Sequence, residues 1–175
     1  ADAEKELRAI WAIQRRPEVL GEEHPDTLTT RHNIAQQMGN QGRYADAEKE
    51  FRAILAIRRR PEALGEEHPD TLATRANIAY LVGNQGRYAD AEKEFRAIWA
   101  ILRRPEVLGE EHPDTLGCQF HIARLLTEQT KFKEAKEIIE RIEVPIRKAY
   151  FPTHKYIIDL NVLISRIDKE EGENE

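Results

Sequence analysis

The sequence predicts an all-α solenoid of antiparallel helix pairs, on three observations. The string LGEEHPDTL occurs at Leu20–Leu28, Leu64–Leu72 and Leu108–Leu116, a period of 44 residues. A string of that length recurring unchanged at fixed spacing marks a repeat architecture. Between its copies, apolar residues fall three and four apart, the spacing of one helix face. Gly, Asn and Pro punctuate these stretches at matching offsets, and no segment sustains strand alternation. Each unit of a solenoid buries surface only against its neighbours, so modest hydrophobic content suffices. The chain is 40% hydrophobic and 34% charged over 175 residues, which fits amphipathic helices with wet outer faces.

Residues 1–16 predict an orphan helix with Ala3, Leu7, Ile10, Trp11 and Ile13 on one stripe. Arg15 and Arg16 suit its C-terminal end, where the dipole favours cations. Pro17 disfavours continuing the helix from Arg16. His24-Pro25-Asp26-Thr27 opens the next helix, since proline fits a first turn whose N–H is unbonded anyway. That helix runs to about Asn40 with Leu28, Ile34, Ala35 and Met38 inward, and Gly39-Asn40-Gln41-Gly42 stops it. Tyr44 starts a partner helix carrying Ala47, Phe51, Ile54, Leu55 and Ile57 to Arg60. A link this short makes the two antiparallel neighbours.

The same reading gives units at about 25–60, 69–104 and 113–150. In the third, Pro145 interrupts Ile138, Ile139, Ile142 and Ile146, which predicts a kink or an early break. Phe151-Pro152-Thr153-His154 is a degraded connector, two residues shorter. A terminal helix at 155–168 then covers the open end, as solenoids need for solubility. The solenoid is expected to span 1–168, with 169–175 a fraying charged tail.

Composition narrows the function classes. The net charge is −5 with both signs interspersed, which argues against a nucleic-acid footprint. Cys118 is the single cysteine, so there is no disulfide framework and a reducing, cytoplasmic setting is expected. No apolar run approaches the length of a membrane span. The chain lacks an initiator Met and starts inside a repeat, which reads as a fragment.

Ile34-Ala35, Gly42, Tyr44, Ala47 and Phe51 resemble the tetratricopeptide repeat pattern, as do Ile78-Ala79, Gly86, Tyr88, Ala91 and Phe95. The third unit keeps Ile122-Ala123, Phe132, Ala135 and Ile139, with Thr130 in place of the glycine. The long unit, with Leu-Gly-x-x-His-Pro-Asp-Thr before its first helix and Asn-Ile-Ala inside it, resembles the kinesin-light-chain type. It departs from that type by two extra residues per unit and by Arg31 and Arg75 where a large residue is expected. The resemblance implies a right-handed superhelix whose first helices line a concave, peptide-binding side. It also implies that Asn33 and Asn77 grip a peptide backbone, with His121 at the third position. An amide both donates and accepts, so it can pair with an extended main chain of any sequence.

Divergence between copies points to the same face. Residues 1–44 and 45–88 differ at nine positions, among them Thr29/Ala73, His32/Ala76 and Gln36/Tyr80, at i, i+3 and i+7. Drift at exposed sites is the plain alternative, yet Glu48, Lys49 and Glu50 are unchanged. The expected peptide-binding set is Asn33, Asn77, His121, His32, Gln36, Asn40, Tyr80, Asn84, Phe120 and Arg124. These residues suit a polar to mildly acidic segment with an apolar anchor.

Other motifs are expected to be structural. His24, His68 and His112 each sit one repeat apart, so they line a row rather than converge on a metal. Arg15-Arg16, Arg58-Arg59-Arg60 and Arg103-Arg104 form a basic row next to connector glutamates, a charge-balanced edge. Cys118 lacks a recurring His–Asp arrangement, and no phosphate loop or dinucleotide fingerprint exists, so neither catalysis nor a cofactor is expected. The reading is a non-enzymatic scaffold for a protein or peptide partner. The alternatives are a sensing segment of a larger signalling ATPase and a self-associating array. Leu7, Ile10 and Trp11 lack a first helix to cover them, which predicts weak homodimers through the N-terminal end.

Overall fold

The computed structural model describes residues 2–172 and holds eight helices and no strand among them. The chain divides into two compact units, residues 1–86 and 87–175. The first contains α1 (Asp2–Gln14), α2 (Pro25–Asn40), α3 (Tyr44–Arg58) and α4 (Pro69–Asn84). The second contains α5 (Tyr88–Leu102), α6 (Pro113–Glu128), α7 (Phe132–Ala149) and α8 (Lys155–Gly172). Within each unit every helix packs on the next in chain order, and α8 also touches α6. This is the all-α architecture of stacked helix pairs that the repeats predict.

Each first helix starts by the same device. His24, His68 and His112 are N-caps whose Nδ1 accepts the backbone N–H of Asp26, Asp70 and Asp114 at 3.2, 3.1 and 3.2 Å. A cap of this kind satisfies one of the donors that a helix start leaves orphaned. His154 repeats it on Tyr156, so the degraded connector keeps its capping function. The second helices end two residues earlier than expected, at Gln14, Arg58 and Leu102. The Arg-Arg-Pro-Glu stretch then folds into turns that close when Gly21, Gly65 and Gly109 donate back to those three carbonyls at 3.0, 3.1 and 3.0 Å. The closing residue stands at φ near +88 in all three, a conformation glycine adopts without Cβ strain.

The cores are built from the predicted inward positions. Leu28, Ile34, Ala35, Met38, Ala47, Phe51 and Ile54 are buried in the first unit. Leu116, Ile122, Ala123, Leu126, Ala135, Ile139 and Ile142 are their counterparts in the second. Two further features differ from expectation. α7 runs on through Pro145 to Ala149, without the early break. Proline removes only the bond to the Arg141 carbonyl, and buried Ile142 and Ile146 hold the helix on both sides of it. α8 reaches Gly172, so residues 169–172 of the expected tail are helical, and 173–175 lie outside the described residues.

A polar node recurs near the start of α1, α3 and α5. Glu4 pairs with Arg8 at 2.8 Å, accepts from Gln41 at 3.0 Å and meets Arg43 at 3.2 Å. Glu48 pairs with Arg52 at 2.6 Å and accepts from Gln85 at 2.7 Å. Glu92 pairs with Arg96 at 2.7 Å, Gln129 at 2.8 Å and Lys131 at 3.6 Å. Burial raises the carboxyl pKa of Glu92, but Arg96 and Gln129 outweigh it and hold it below the usual range. All three glutamate side chains are only 12% exposed, so Glu48 is not the free surface residue its context suggests. Its invariance follows from these bonds, which leaves Lys49 as the better comparison for drift.

Candidate functional site

The expected binding residues lie on α2, α4 and α6, and the two units treat them differently. In the first unit Asn33, Gln36 and Asn40 are exposed on α2. Tyr80 is 39% exposed on α4, and Asn84 is half-buried one turn further on. Asn77, Tyr80 and Asn84 are three and four apart, so they share one face of α4.

His32 and Asn77 meet, with Asn77 Nδ2 3.3 Å from His32 Nε2. This contact ties α2 directly to α4, so part of the Asn77 amide serves a helix–helix link. Asn33 occupies the same repeat position and stays exposed. The His32 ring stands edge-on to Phe51 with centroids 4.9 Å apart. Its Nδ1 is buried without a hydrogen bond. Burial first, and the Arg58 guanidinium second, hold the His32 pKa below the ordinary histidine value, while Asp70 pulls the other way.

Arg58 was expected in the solvated basic row and is buried instead. It donates to Thr74 Oγ1 at 2.9 Å and to the Asp70 carbonyl at 3.3 Å. Gln14 and Leu102 hold the matching positions, and nothing in the repeat pattern distinguishes a buried arginine there from its exposed neighbour Arg59. Three others of the row pair with connector glutamates as expected: Arg15–Glu22 at 2.9 Å, Arg60–Glu23 at 2.9 Å and Arg103–Glu110 at 2.6 Å. Arg15 and Arg103 also lie over the rings of Trp11 and Trp99, 4.7 and 4.5 Å from their centroids.

In the second unit Phe120 is interior, and His121, Arg124 and Glu128, at the other matching positions, are half-buried. Phe120 is 3% exposed and packs edge-on against Tyr156 of α8 and against His121, both at 5.6 Å. Its assignment to an open groove is therefore corrected: α8 covers it. His121 stacks on Phe95 with centroids 4.9 Å apart and planes 20° apart. Burial, then the Arg124 charge, push its pKa down to about 3. Arg124 itself is half-buried. Tyr150, His154 and Tyr156 extend the cluster, stacked at 4.4 and 5.4 Å from Tyr150. The sequence reading missed this extension. Its signal was the density of aromatic rings at residues 150–156, where the repeat degrades.

His121, Cys118 and Tyr156 all titrate far from neutral pH. Burial drives the Tyr156 hydroxyl and the Cys118 thiol each up to about 12. Gly117 beside them allows close approach, because a Cβ there would lie 3.2 Å from Tyr156 Oη. Among the described residues no group of three or more His, Cys, Asp or Glu could hold a metal ion. None of the described helices is long and apolar enough to cross a membrane.

Comparison with known proteins fits this geometry. The Tetratricopeptide repeat family model matches residues 27–70 and 71–114, just over half of the chain and in its 44-residue period. No curated protein matches by sequence. Among solved structures, a putative kinesin light chain of Podosopora anserina with nearly identical TPR-like repeats superposes with a TM-score of 0.71. The two are 25% identical, over 98% of this chain and 79% of that one. A second crystal structure, of a variant of that protein, gives 0.73, also at 25% identity, over 98% and 78%. BtubC (BKLC) from P. vanneervenii shares the fold at 15% identity and a TM-score of 0.68, over 87% and 59%. The chain thus belongs to the tetratricopeptide repeat family, in the form found in kinesin-light-chain-like arrays.

Proposed function

We propose that this chain is a non-enzymatic module that holds a protein or peptide segment against the first-helix face of its N-terminal unit. Tetratricopeptide repeats generally mediate protein–protein interaction, which sets the class. The observation that carries the finer reading is the row Asn33, Gln36, Asn40 and Tyr80, exposed beside the His32–Asn77 link. Three side-chain amides supply donors and acceptors for an extended main chain. Tyr80 supplies a flat apolar surface with a polar tip, a common anchor at interfaces. Phe120 belongs to the interior in this reading, and the second unit contributes no groove of its own. The displaced pKa values of His121, Cys118 and Tyr156 favour a binding role over catalysis. The charge balance likewise favours a protein partner over nucleic acid.

The test is selection of binders from a displayed random-peptide library, followed by competition with variants. Asn33→Ala, Gln36→Ala and Tyr80→Ala together are expected to weaken the selected peptides by about tenfold or more. Lys49→Ala, on an exposed second-helix position, is the control and leaves affinity unchanged. Peptides that lose affinity with Lys49→Ala and keep it with the triple variant would place the site elsewhere.

A further inference from the structure

One polar contact of the first unit decides how a side chain on the first-helix face is presented. Asn77 of α4 shares that face with Tyr80, and its Nδ2 lies 3.3 Å from Nε2 of His32 on α2. An amide nitrogen only donates, so the contact needs a lone pair on Nε2 and places the proton of the neutral ring on Nδ1. That Nδ1 is buried and makes no hydrogen bond. The ring is held in place by Phe51 of α3, to which it stands edge-on with centroids 4.9 Å apart. α4 and α6 carry Ala76 and Phe120 at the repeat position of His32, and neither side chain can accept a hydrogen bond from an amide as an imidazole nitrogen does. Asn33, the period-matched asparagine of α2, is exposed.

We propose that His32 is the positioning residue that sets which end of the Asn77 amide a bound segment meets, an acceptor when the ring is neutral and a donor when it is protonated. With Nδ2 turned to His32, Oδ1 is the end left for a backbone N–H of the segment. A protonated ring has N–H on both nitrogens and accepts nothing, so its Nε2–H needs Oδ1 instead. The amide meets that need by a half-turn about χ2, which exchanges its two ends and shows Nδ2 to the segment. The N–H of the segment then faces another N–H, and a donor left unpaired away from water is costly. The charged groups that face the ring are Arg58 from α3 and Asp70 from the start of α4. Arg31, beside it on α2, is held by Glu50 of α3 at 3.0 Å. Burial first, and Arg58 second, keep the ring neutral to below the ordinary histidine value, against the pull of Asp70. The acceptor state therefore holds at pH 7 and is lost in acid. This rests on the reading of the first-helix face as a binding surface, and it names the chemistry selected there: a segment that offers a backbone N–H at Asn77.

Two experiments test the switch. In proton–nitrogen NMR spectra of the free 175-residue chain, the Asn77 side-chain amide is assigned by its absence in Asn77→Ala. It is expected to shift in step with the His32 ring as pH falls from 7 to 5, and to stop doing so in His32→Gln. The exposed Asn40 amide, two turns along α2, is the control and stays in place. The second experiment reads affinity, with a library-selected peptide that has blocked ends and no Asp, Glu or His. Its binding to the wild-type chain is expected to weaken by up to about tenfold per pH unit below the His32 pKa, since one proton leaves for each segment bound. Glutamine keeps an acceptor for Asn77 and does not titrate, so in His32→Gln the ratio of affinities at pH 7 and pH 5 falls to near one. A ring that stays neutral to pH 5, an Asn77 amide that ignores the ring's titration, or an acid fall of affinity that persists in His32→Gln overturns the proposal. A library that yields no binder sinks the binding face alone, and the free-chain spectra still decide the amide.

Discussion

The two units run the same repeat and put opposite things at the same place. On the first-helix face, the N-terminal unit keeps amides and one tyrosine in contact with solvent, beside the His32–Asn77 contact. In the C-terminal unit Phe120 and His121 stand where His32 and Asn33 stand, and Tyr156 packs on both. A scaffold that is nearly invariant therefore tolerates large changes along one stripe, and that stripe decides whether the face is a surface or a core. The difference is read most directly by perturbing matched positions in both units.

The largest contrast is expected between Phe120→Ala and His32→Ala, one period-matched position. Phe120 is closely packed, so its loss costs about 3–5 kcal/mol, whereas half-buried His32 costs about 1 kcal/mol. Urea denaturation of the two variants gives both numbers, and equal losses would mean that the aromatic cluster is not the better-packed face. Next comes acid. The His121 pKa lies near 3, below its ordinary 6.5, so the unfolded chain binds the proton first as pH falls. The stabilisation is full above about pH 6.5 and is lost towards pH 3, with about 2 kcal/mol already gone at pH 5. His121→Gln is expected to flatten this acid limb in unfolding midpoints measured at pH 7 and pH 5. His32 acts in the same direction in the first unit.

Smaller effects concern the turns. Thr130 sits at φ +60 where Gly42 sits at φ +78, and a β-branched residue is strained in that region. Thr130→Gly should stabilise by about 1 kcal/mol and Gly42→Thr should cost a similar amount, both visible as shifts in thermal midpoint. The smallest contrast serves as a control. His24→Ala and His112→Ala each remove the same cap and should each cost about 1 kcal/mol, so unequal losses would show that the units differ in more than their stripe.

The repeat, the eight helices, their caps and the connector glycines were legible in the sequence because each depends on neighbours within a few residues. Pro145 read as a break because its local effect is unfavourable, and the isoleucines that override it act through packing. Phe120 read as an open groove residue because its cover, Tyr156, lies in the stretch where the pattern degrades. Arg58 and Glu48 read as ordinary surface charges, since their partners Thr74 and Gln85 lie 16 and 37 residues away. Asn33 was assigned to the first-helix face by family resemblance and Gln36 by divergence between copies, and both are exposed on α2.

The glutamate node bears on how such a chain changes length. Its parts are a glutamate and an arginine on one helix and a glutamine 37 residues ahead, a span shorter than the 44-residue period. A crossover between two near-identical copies adds or drops a whole number of periods and reassembles each node from equivalent residues. No half-buried carboxylate is then left without its donors, and no connector loses its cap. Unequal recombination can lengthen or shorten the array without a folding penalty at the new junction, and the variable stripe is then free to diversify on whatever number of units results.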